Sequence, residues 1–285
     1  MVVDVLSVSS LKGGVGKTTV ALGLASAALA RGKRTLVVDI DPQTDLTTGL
    51  AVDPGSALTM ADVIKNPSPD VVRRAIVSSA WTEDRTLSVD VMVGSPRTIE
   101  FDVPAPRPRD LWKLDEALAL LEDAYDVVII DCPPSLNSLT RNAWLASDRV
   151  LLIAEPSLFA VSAVGRALKA MEELSLDQQV PVKPLGVLVN RFRKQSIEHE
   201  FRISELEQLY PRQLLDVRLP ERASLQQAQG SARPVHSWPS ESGKKMAAQF
   251  DQVFDVFEQA VDGHPQARGH AGRKAAAKAA EKKAR

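Results

Sequence analysis

Short apolar runs alternate along this chain with longer segments in which apolar positions recur every three or four residues. The runs Val2 to Val8, Thr35 to Ile40, Val127 to Ile130, Val150 to Ile153 and Leu185 to Val189 are rich in β-branched residues, and Leu214 to Val217 is a weaker sixth. Several are apolar throughout rather than alternating, which predicts parallel strands covered on both faces. Helical spacing occurs at Lys17 to Ala30, Leu111 to Asp123, Leu136 to Ala146, Leu158 to Leu174 and Ile197 to Leu209. This alternation predicts an α/β fold, a doubly wound, mainly parallel sheet flanked by helices.

From 53 to 109 the pattern loosens. Short helices are expected around Thr59 to Ile64 and Asp70 to Ser78, then an edge strand from Leu87 to Val93. Pro96, Pro104, Pro106 and Pro108 make Ser95 to Arg109 an irregular excursion, so 53–109 reads as an insertion on a single domain spanning 1–263. The last helix is well marked. Ser240 is its expected N-cap, Met246, Phe250, Val253, Phe254, Phe257 and Val261 form its apolar stripe, and Gly263 stops it.

Composition narrows the class. The 285 residues are 44% hydrophobic and 25% charged, ordinary values for a globular protein large enough to bury a full core. No apolar stretch approaches the roughly 18 residues that span a bilayer, and the amino terminus lacks the form of a secretory signal, so a cytoplasmic location is expected. Cys132 is the only cysteine, which excludes intramolecular disulfides and cysteine clusters within one chain. The net charge of −1 hides an asymmetry: residues 265–285 hold seven Lys and Arg against Glu281, leaving 28 basic and 35 acidic residues elsewhere. The chain is an acidic globule with a basic, Ala/Lys-rich appendage (264–285) that reads as a flexible tail.

Candidate chemistry begins immediately after the first strand, with Leu11-Lys12-Gly13-Gly14-Val15-Gly16-Lys17-Thr18-Thr19. Glycines there let backbone N–H groups turn around phosphate oxygens, and the positive end of the following helix adds to the attraction. Lys17 is placed to reach the β- and γ-phosphates, Thr18 to ligand Mg²⁺ and Thr19 to donate to a nearer phosphate. The ordinary phosphate-loop spacing fails at Leu11, and a second lysine, Lys12, follows it. Two carboxylates, Asp39 and Asp41, leave the second strand on one side, and Asp131 ends the third core strand. Each alone could be a helix cap or loop charge, but three at the carboxyl ends of parallel strands converge where such sheets bind ligands.

The motifs Lys12-Gly-Gly-Val-Gly-Lys17-Thr-Thr, Asp39-Ile-Asp41-Pro-Gln43 and Asp131-Cys-Pro-Pro-Ser135-Leu136 together resemble the ParA/Soj branch of the deviant-loop ATPases, which also contains MinD. The resemblance runs from about Val2 to Gly263. It implies an ATPase that uses ATP and Mg²⁺ and forms a nucleotide sandwich homodimer, with Lys12 reaching the ATP of the second copy. It further implies that Asp41 orients the attacking water, that Asp131 supports the Mg²⁺ shell beside Thr18 and Asp39, and that Gly13, Gly14, Val15, Gly16, Lys17, Thr18 and Thr19 cradle the phosphates. Asn190 resembles the family's base-contacting asparagine, and Pro220 to Leu225, with Arg222, resembles the loop that covers adenine. Asn190-Arg191-Phe192-Arg193 lacks the aspartate of a guanine reader, which favours ATP, and the lone Cys132 argues against the related iron–sulfur reductases.

In ParA proteins the ATP dimer binds DNA non-specifically, and a ParB-type partner stimulates hydrolysis and release, which implies a nucleoid-associated protein here. The expected phosphate contacts are Arg191, Arg193, Lys194, Arg218, Arg222 and Arg233, together with tail residues Lys274, Lys278, Lys282 and Lys283. Two positions that are basic in the family's Pro-Arg-Asn-Val-Arg-Leu segment are Glu221 and Ser224 here. The tail has no large apolar residue to insert, so membrane attachment is disfavoured. Two other classes stay open: a MinD-like or other cargo-positioning ATPase, and an enzyme coupling ATP to small-molecule ligation or amidation.

Overall fold

The computed structural model describes residues 3–55, 57–83 and 87–262. Eight strands form one sheet: β1 (Asp4–Ser9), β2 (Thr35–Asp39), β3 (Ile76–Glu83), β4 (Leu87–Met92), β5 (Val127–Asp131), β6 (Arg149–Ala154), β7 (Pro184–Phe192) and β8 (Leu214–Pro220). Their spatial order is β3-β4-β2-β5-β1-β6-β7-β8. Every neighbouring pair is parallel except β3 with β4. Ten α-helices surround this sheet among the described residues: α1 (Lys17–Ala30), α2 (Asp45–Gly49), α3 (Met60–Lys65), α4 (Pro69–Arg74), α5 (Lys113–Leu118), α6 (Ser138–Leu145), α7 (Leu158–Gln178), α8 (Ile197–Leu209), α9 (Ala223–Gly230) and α10 (Glu241–Asp262). None of the described helices is long and apolar enough to cross a membrane.

The unbroken apolar runs have a simple cause. Successive side chains of a strand point to opposite faces. In β5, Val127 and Ile129 enter the core shared with α1 and α10, whereas Val128 and Ile130 enter the core beneath α3, α5 and α6. A third core packs α7 and α8 against β6 and β7. Helix α1 is buried almost all round because it lies between the sheet and α10. A Cβ added at Gly23 would sit 2.3 Å from the ring of Phe250, so glycine sets how closely these helices approach. The stripe of α10 is buried as expected, and the Ser240 hydroxyl caps it by accepting from the Gly243 N–H at 3.0 Å. Gly263 and the basic tail, with Lys274, Lys278, Lys282 and Lys283, lie outside the described residues.

The 53–109 stretch departs most from expectation. The helix expected over Asp70 to Ser78 stops at Arg74, and β3 starts at Ile76. Val71, Val72 and Ala75 continue a helical spacing, but pairing with β4 captures the residues beyond them. The predicted edge strand β4 is internal, hydrogen-bonded to β2 on one side and β3 on the other, so β3 forms the edge. The expected helix Leu111 to Asp123 is broken into 3-10 turns around α5, and α2 and α9 had no predicted counterpart.

Candidate functional site

The strand order reverses at β1, which lies between β5 and β6, and the crevice beyond its carboxyl end is where open α/β sheets bind ligands. The loop Leu11–Gly16 occupies that position. Gly14 (φ +75°) and Gly16 (φ +89°) adopt left-handed backbone, and Gly16 is the N-cap of α1. Two loop carbonyls are tied to the end of β7: Asn190 Nδ2 donates to Val15 O at 2.8 Å, and Arg191 Nη1 donates to Gly14 O at 2.6 Å. Carbonyls engaged there leave the loop amides available to an anion. A Cβ at Gly16 would stand 2.5 Å from Asn190 Nδ2.

Lys17 is 6% exposed and lies close enough to Asp41 and Asp131 for its charge to favour their ionised forms. Thr18 Oγ1 donates to Asp131 Oδ2 at 2.6 Å, and Thr19 Oγ1 donates to Gln229 Oε1 at 3.4 Å. Asp39 and Asp131 are register partners at the ends of β2 and β5, and both are fully buried. Burial pushes the Asp39 carboxyl up to about 7, against two hydrogen bonds that favour its charged form, from Thr47 N–H (2.8 Å) and Thr47 Oγ1 (2.6 Å). Asp131 is also raised, first by burial and then by the charge of Asp39. Asp41 is raised by burial, although the Gln43 N–H donates to its Oδ1 at 3.0 Å.

One buried oxygen of Asp39 and one of Asp131, Oδ1 in each case, accept no hydrogen bond. Like charges placed together with unused lone pairs suit a cation. The donors are all oxygen, and no group of three or more His, Cys, Asp or Glu is arranged to hold a metal among the described residues. Such an incomplete oxygen shell fits Mg²⁺, which keeps waters and takes phosphate oxygens.

The second lysine takes a different course. Lys12 Nζ contacts Glu155 Oε2 at 3.2 Å and Ser157 Oγ at 3.3 Å, both in the turn between β6 and α7. Glu155 and Ser157 were not foreseen. Their sequence signal is an acidic residue at the carboxyl end of a strand adjoining β1. Thr47 and Gly94 were missed as well: Gly94 N–H donates to Thr47 Oγ1 at 3.0 Å, and a Cβ at Gly94 would fall 2.6 Å from Asp39 Oδ2.

The expected nucleotide-base and DNA residues are placed as follows. Asn190 is buried against the loop, Pro220 ends β8, and Arg222 is the exposed N-cap of α9. Arg191 binds the loop, Arg193 pairs with Glu221 at 2.6 Å, and Arg218 pairs with Glu207 at 2.6 Å. Lys194, Arg222 and Arg233 are exposed. Glu221, one of the departures from the family pattern, is thus the partner of one expected DNA contact.

Comparison with known proteins agrees with this geometry. A family profile described as an AAA domain matches residues 3–182. The chromosome partitioning protein ParA of Caulobacter vibrioides is 30% identical over 236 residues, covering 81% of this chain and 85% of that protein. The sporulation initiation inhibitor protein Soj of Bacillus subtilis is 28% identical, covering 81% of this chain and 89% of that protein. Among solved structures, the ATP complex of McdA from Cyanothece superposes with a TM-score of 0.76 at 24% identity, over 90% of this chain and 96% of that one. Cobyrinic acid a,c-diamide synthase from Mycobacterium smegmatis with bound ADP and magnesium gives 0.70 at 26% identity, over 91% and 96%. With its phosphate loop, paired strand-end carboxylates and sheet order, the chain belongs to the ParA/Soj family of P-loop partition ATPases.

Proposed function

We propose that this protein is an ATP-driven molecular switch: ATP closes a sandwich homodimer, the dimer binds DNA without sequence preference, and hydrolysis stimulated by a ParB-type adaptor releases it. Through this cycle it segregates or positions chromosome or plasmid DNA at the nucleoid. The observation that carries the reading is the environment of Lys12. Its side chain, about one third exposed, carries the ammonium to Glu155 and Ser157 in the β6–α7 turn. A lysine at the mouth of the site, held by a weak, partly exposed ion pair, can reach a second copy facing it. There its charge would stabilise negative charge spread over the transferring phosphoryl group.

Within one protomer, Gly13, Gly14, Val15 and Gly16 supply the backbone cradle and Lys17 binds the β- and γ-phosphates. Thr18, Asp39 and Asp131 supply oxygens for Mg²⁺, which when bound neutralises the phosphate charge. Asp41, less buried than its neighbours on the strand ends, orients the attacking water. Asn190, Pro220 and Arg222 border the nucleoside. Lys194, Arg222 and Arg233 are the described exposed cations offered to phosphates, and the basic tail adds more.

The test is DNA binding measured without nucleotide, with ADP and with ATP. Wild type should bind strongly only with ATP. Lys12→Ala and Lys17→Ala should lose that dependence, and Asp41→Ala should keep binding while losing hydrolysis. Equal binding in ADP and ATP sinks the switch. A second reading, ATP-coupled ligation or amidation, draws support from the similarity to the Mycobacterium smegmatis synthase. It predicts ATP turnover that depends on a carboxylate substrate, whereas the switch predicts basal turnover without one.

A further inference from the structure

The Pro-rich excursion grips the loop that leaves the nucleotide site. After Asp131 the chain runs through Cys132, Pro133, Pro134 and Ser135 to α6, whose N-cap residue, Asn137, makes no capping hydrogen bond with its own side chain. Asp102 supplies the cap instead, from the end of the 3-10 turn Pro96–Phe101. Its Oδ1 accepts from the Leu139 N–H at 3.2 Å, and its Oδ2 accepts from Ser135 Oγ and from Asn137 Nδ2, each at 3.2 Å. Two donors from the loop and one from the first turn of α6 therefore converge on one carboxylate, which also complements the positive end of α6.

The neighbours of Asp102 complete the seam. Ser138 N–H donates to Val103 O at 3.0 Å, Val103 N–H donates to Ser138 Oγ at 2.9 Å, and Ser138 Oγ donates to Phe101 O. Only Cys132 to Pro134 remain between this seam and Asp131, and two of those three are prolines with fixed φ. Asp102 is also near enough to Asp41 for their charges to interact. The seam thus continues directly from the end of β5, where Asp131 meets the hydroxyl of Thr18.

The geometry points to Asp102 as a positioning residue of the ATPase: it caps α6 from the Pro-rich excursion and so holds the 132–137 loop in place beside Asp41 and Asp131. The inference rests on the ATPase reading above. It also gives the Ser95–Arg109 excursion a role, because movement of that segment would move the loop with it. Both carboxylate oxygens of Asp102 are engaged by the 135–139 segment. Its effect should fall on turnover more than on nucleotide affinity, and removal of such a supporting partner costs on the order of tenfold or more.

Two measurements test this together. Steady-state hydrolysis compares wild type, Asp102→Ala, Asp102→Asn and the double variant Ser135→Ala/Asn137→Ala, which keeps the Leu139 contact and so guards against misfolding. Asp102→Ala should lower kcat about tenfold with KM changed less than about threefold. Asp102→Asn keeps an acceptor for the Leu139 N–H and should recover most of the loss, and the double variant should fall between. Hydrogen exchange on nucleotide-free protein reads the seam without hydrolysis: amides of 135–139 should exchange at least about tenfold faster in Asp102→Ala, with those of α1 unchanged. Unchanged exchange overturns the seam, and faster exchange with wild-type kcat overturns positioning. An Asn variant as poor as the Ala variant overturns the geometric account. If wild type hydrolyses ATP no faster than Lys17→Ala, the ATPase reading fails, and the exchange result still decides the seam.

Discussion

Replacing Glu155 with glutamine should tighten the proposed ATP-bound dimer. In the free protomer Lys12 is held by Glu155 at 3.2 Å, and the two side chains are 34% and 30% exposed. A lysine that crosses to a second copy must first leave this pair. Partly exposed ion pairs contribute roughly 0.2–1 kcal/mol, and a symmetric dimer would break two, so the opposing term is about 0.4–2 kcal/mol. Since about 1.4 kcal/mol is tenfold, removing it shifts the dimer dissociation constant downward by about two- to thirtyfold. Glutamine keeps an acceptor for the ammonium, so Glu155→Gln should sit in the lower part of that range and Glu155→Ala higher. Sedimentation equilibrium with a non-hydrolysable ATP analogue measures it directly. The gap between wild type and Glu155→Gln should narrow as salt is raised to about 1 M, where the Debye length falls to about 3 Å. A weaker dimer in Glu155→Gln would mean that Glu155 supports the assembled state, and the competition argument would be wrong.

Three further outcomes follow from the same geometry. Burial raises Asp39 from an ordinary value of 3.8 to about 7, so the folded protein takes up a proton that the unfolded chain releases. That contribution to stability is full below about pH 4 and is lost as pH rises through 7, with a ceiling on the order of 4 kcal/mol. Nucleotide-free Asp39→Asn should therefore show a flatter urea stability between pH 5 and 8 than wild type, and a wild type that gains stability over that range relative to the variant contradicts the argument. Gly23→Ala should lower stability by about 1–2 kcal/mol in urea unfolding, because the new methyl meets the buried Phe250 ring, an overpacking cost that exceeds the roughly 1 kcal/mol gained in helix propensity. A stabilised variant would show that α1 and α10 have room between them. Removing residues 265–285 should weaken the proposed ATP-dependent DNA binding and flatten its salt dependence, since the tail offers seven cations. Unchanged affinity and slope would exclude the tail from the interface.

How much of this was legible in advance depends on whether the information is local. Strand β1, the loop 11–16 and α1 were readable because a phosphate cradle needs glycines, a lysine and a hydroxyl at fixed spacing between a strand and a helix. Asp39, Asp41 and Asp131 stand out because they fall at the ends of apolar runs, and the structure brings them together with Lys17 and Thr18. The strand β3 was not readable, because its helical-looking start gives way only when β4 is present to pair with it. Nor was β4 recognisable as internal, since edge or centre is a property of the assembled sheet.

Local pattern is enough for the fold class and for a glycine-rich loop with carboxylates nearby, because backbone geometry and short-range spacing specify them. Where the second lysine rests, which arginines are already paired and which distant carboxylate caps α6 emerge with the assembled fold. Lys12 with Glu155, Arg193 with Glu221, and Asp102 with Leu139 are separated by 143, 28 and 37 residues. Contacts of that kind are set by sheet order, which brings loops from separate strands to one edge, and no local pattern encodes it.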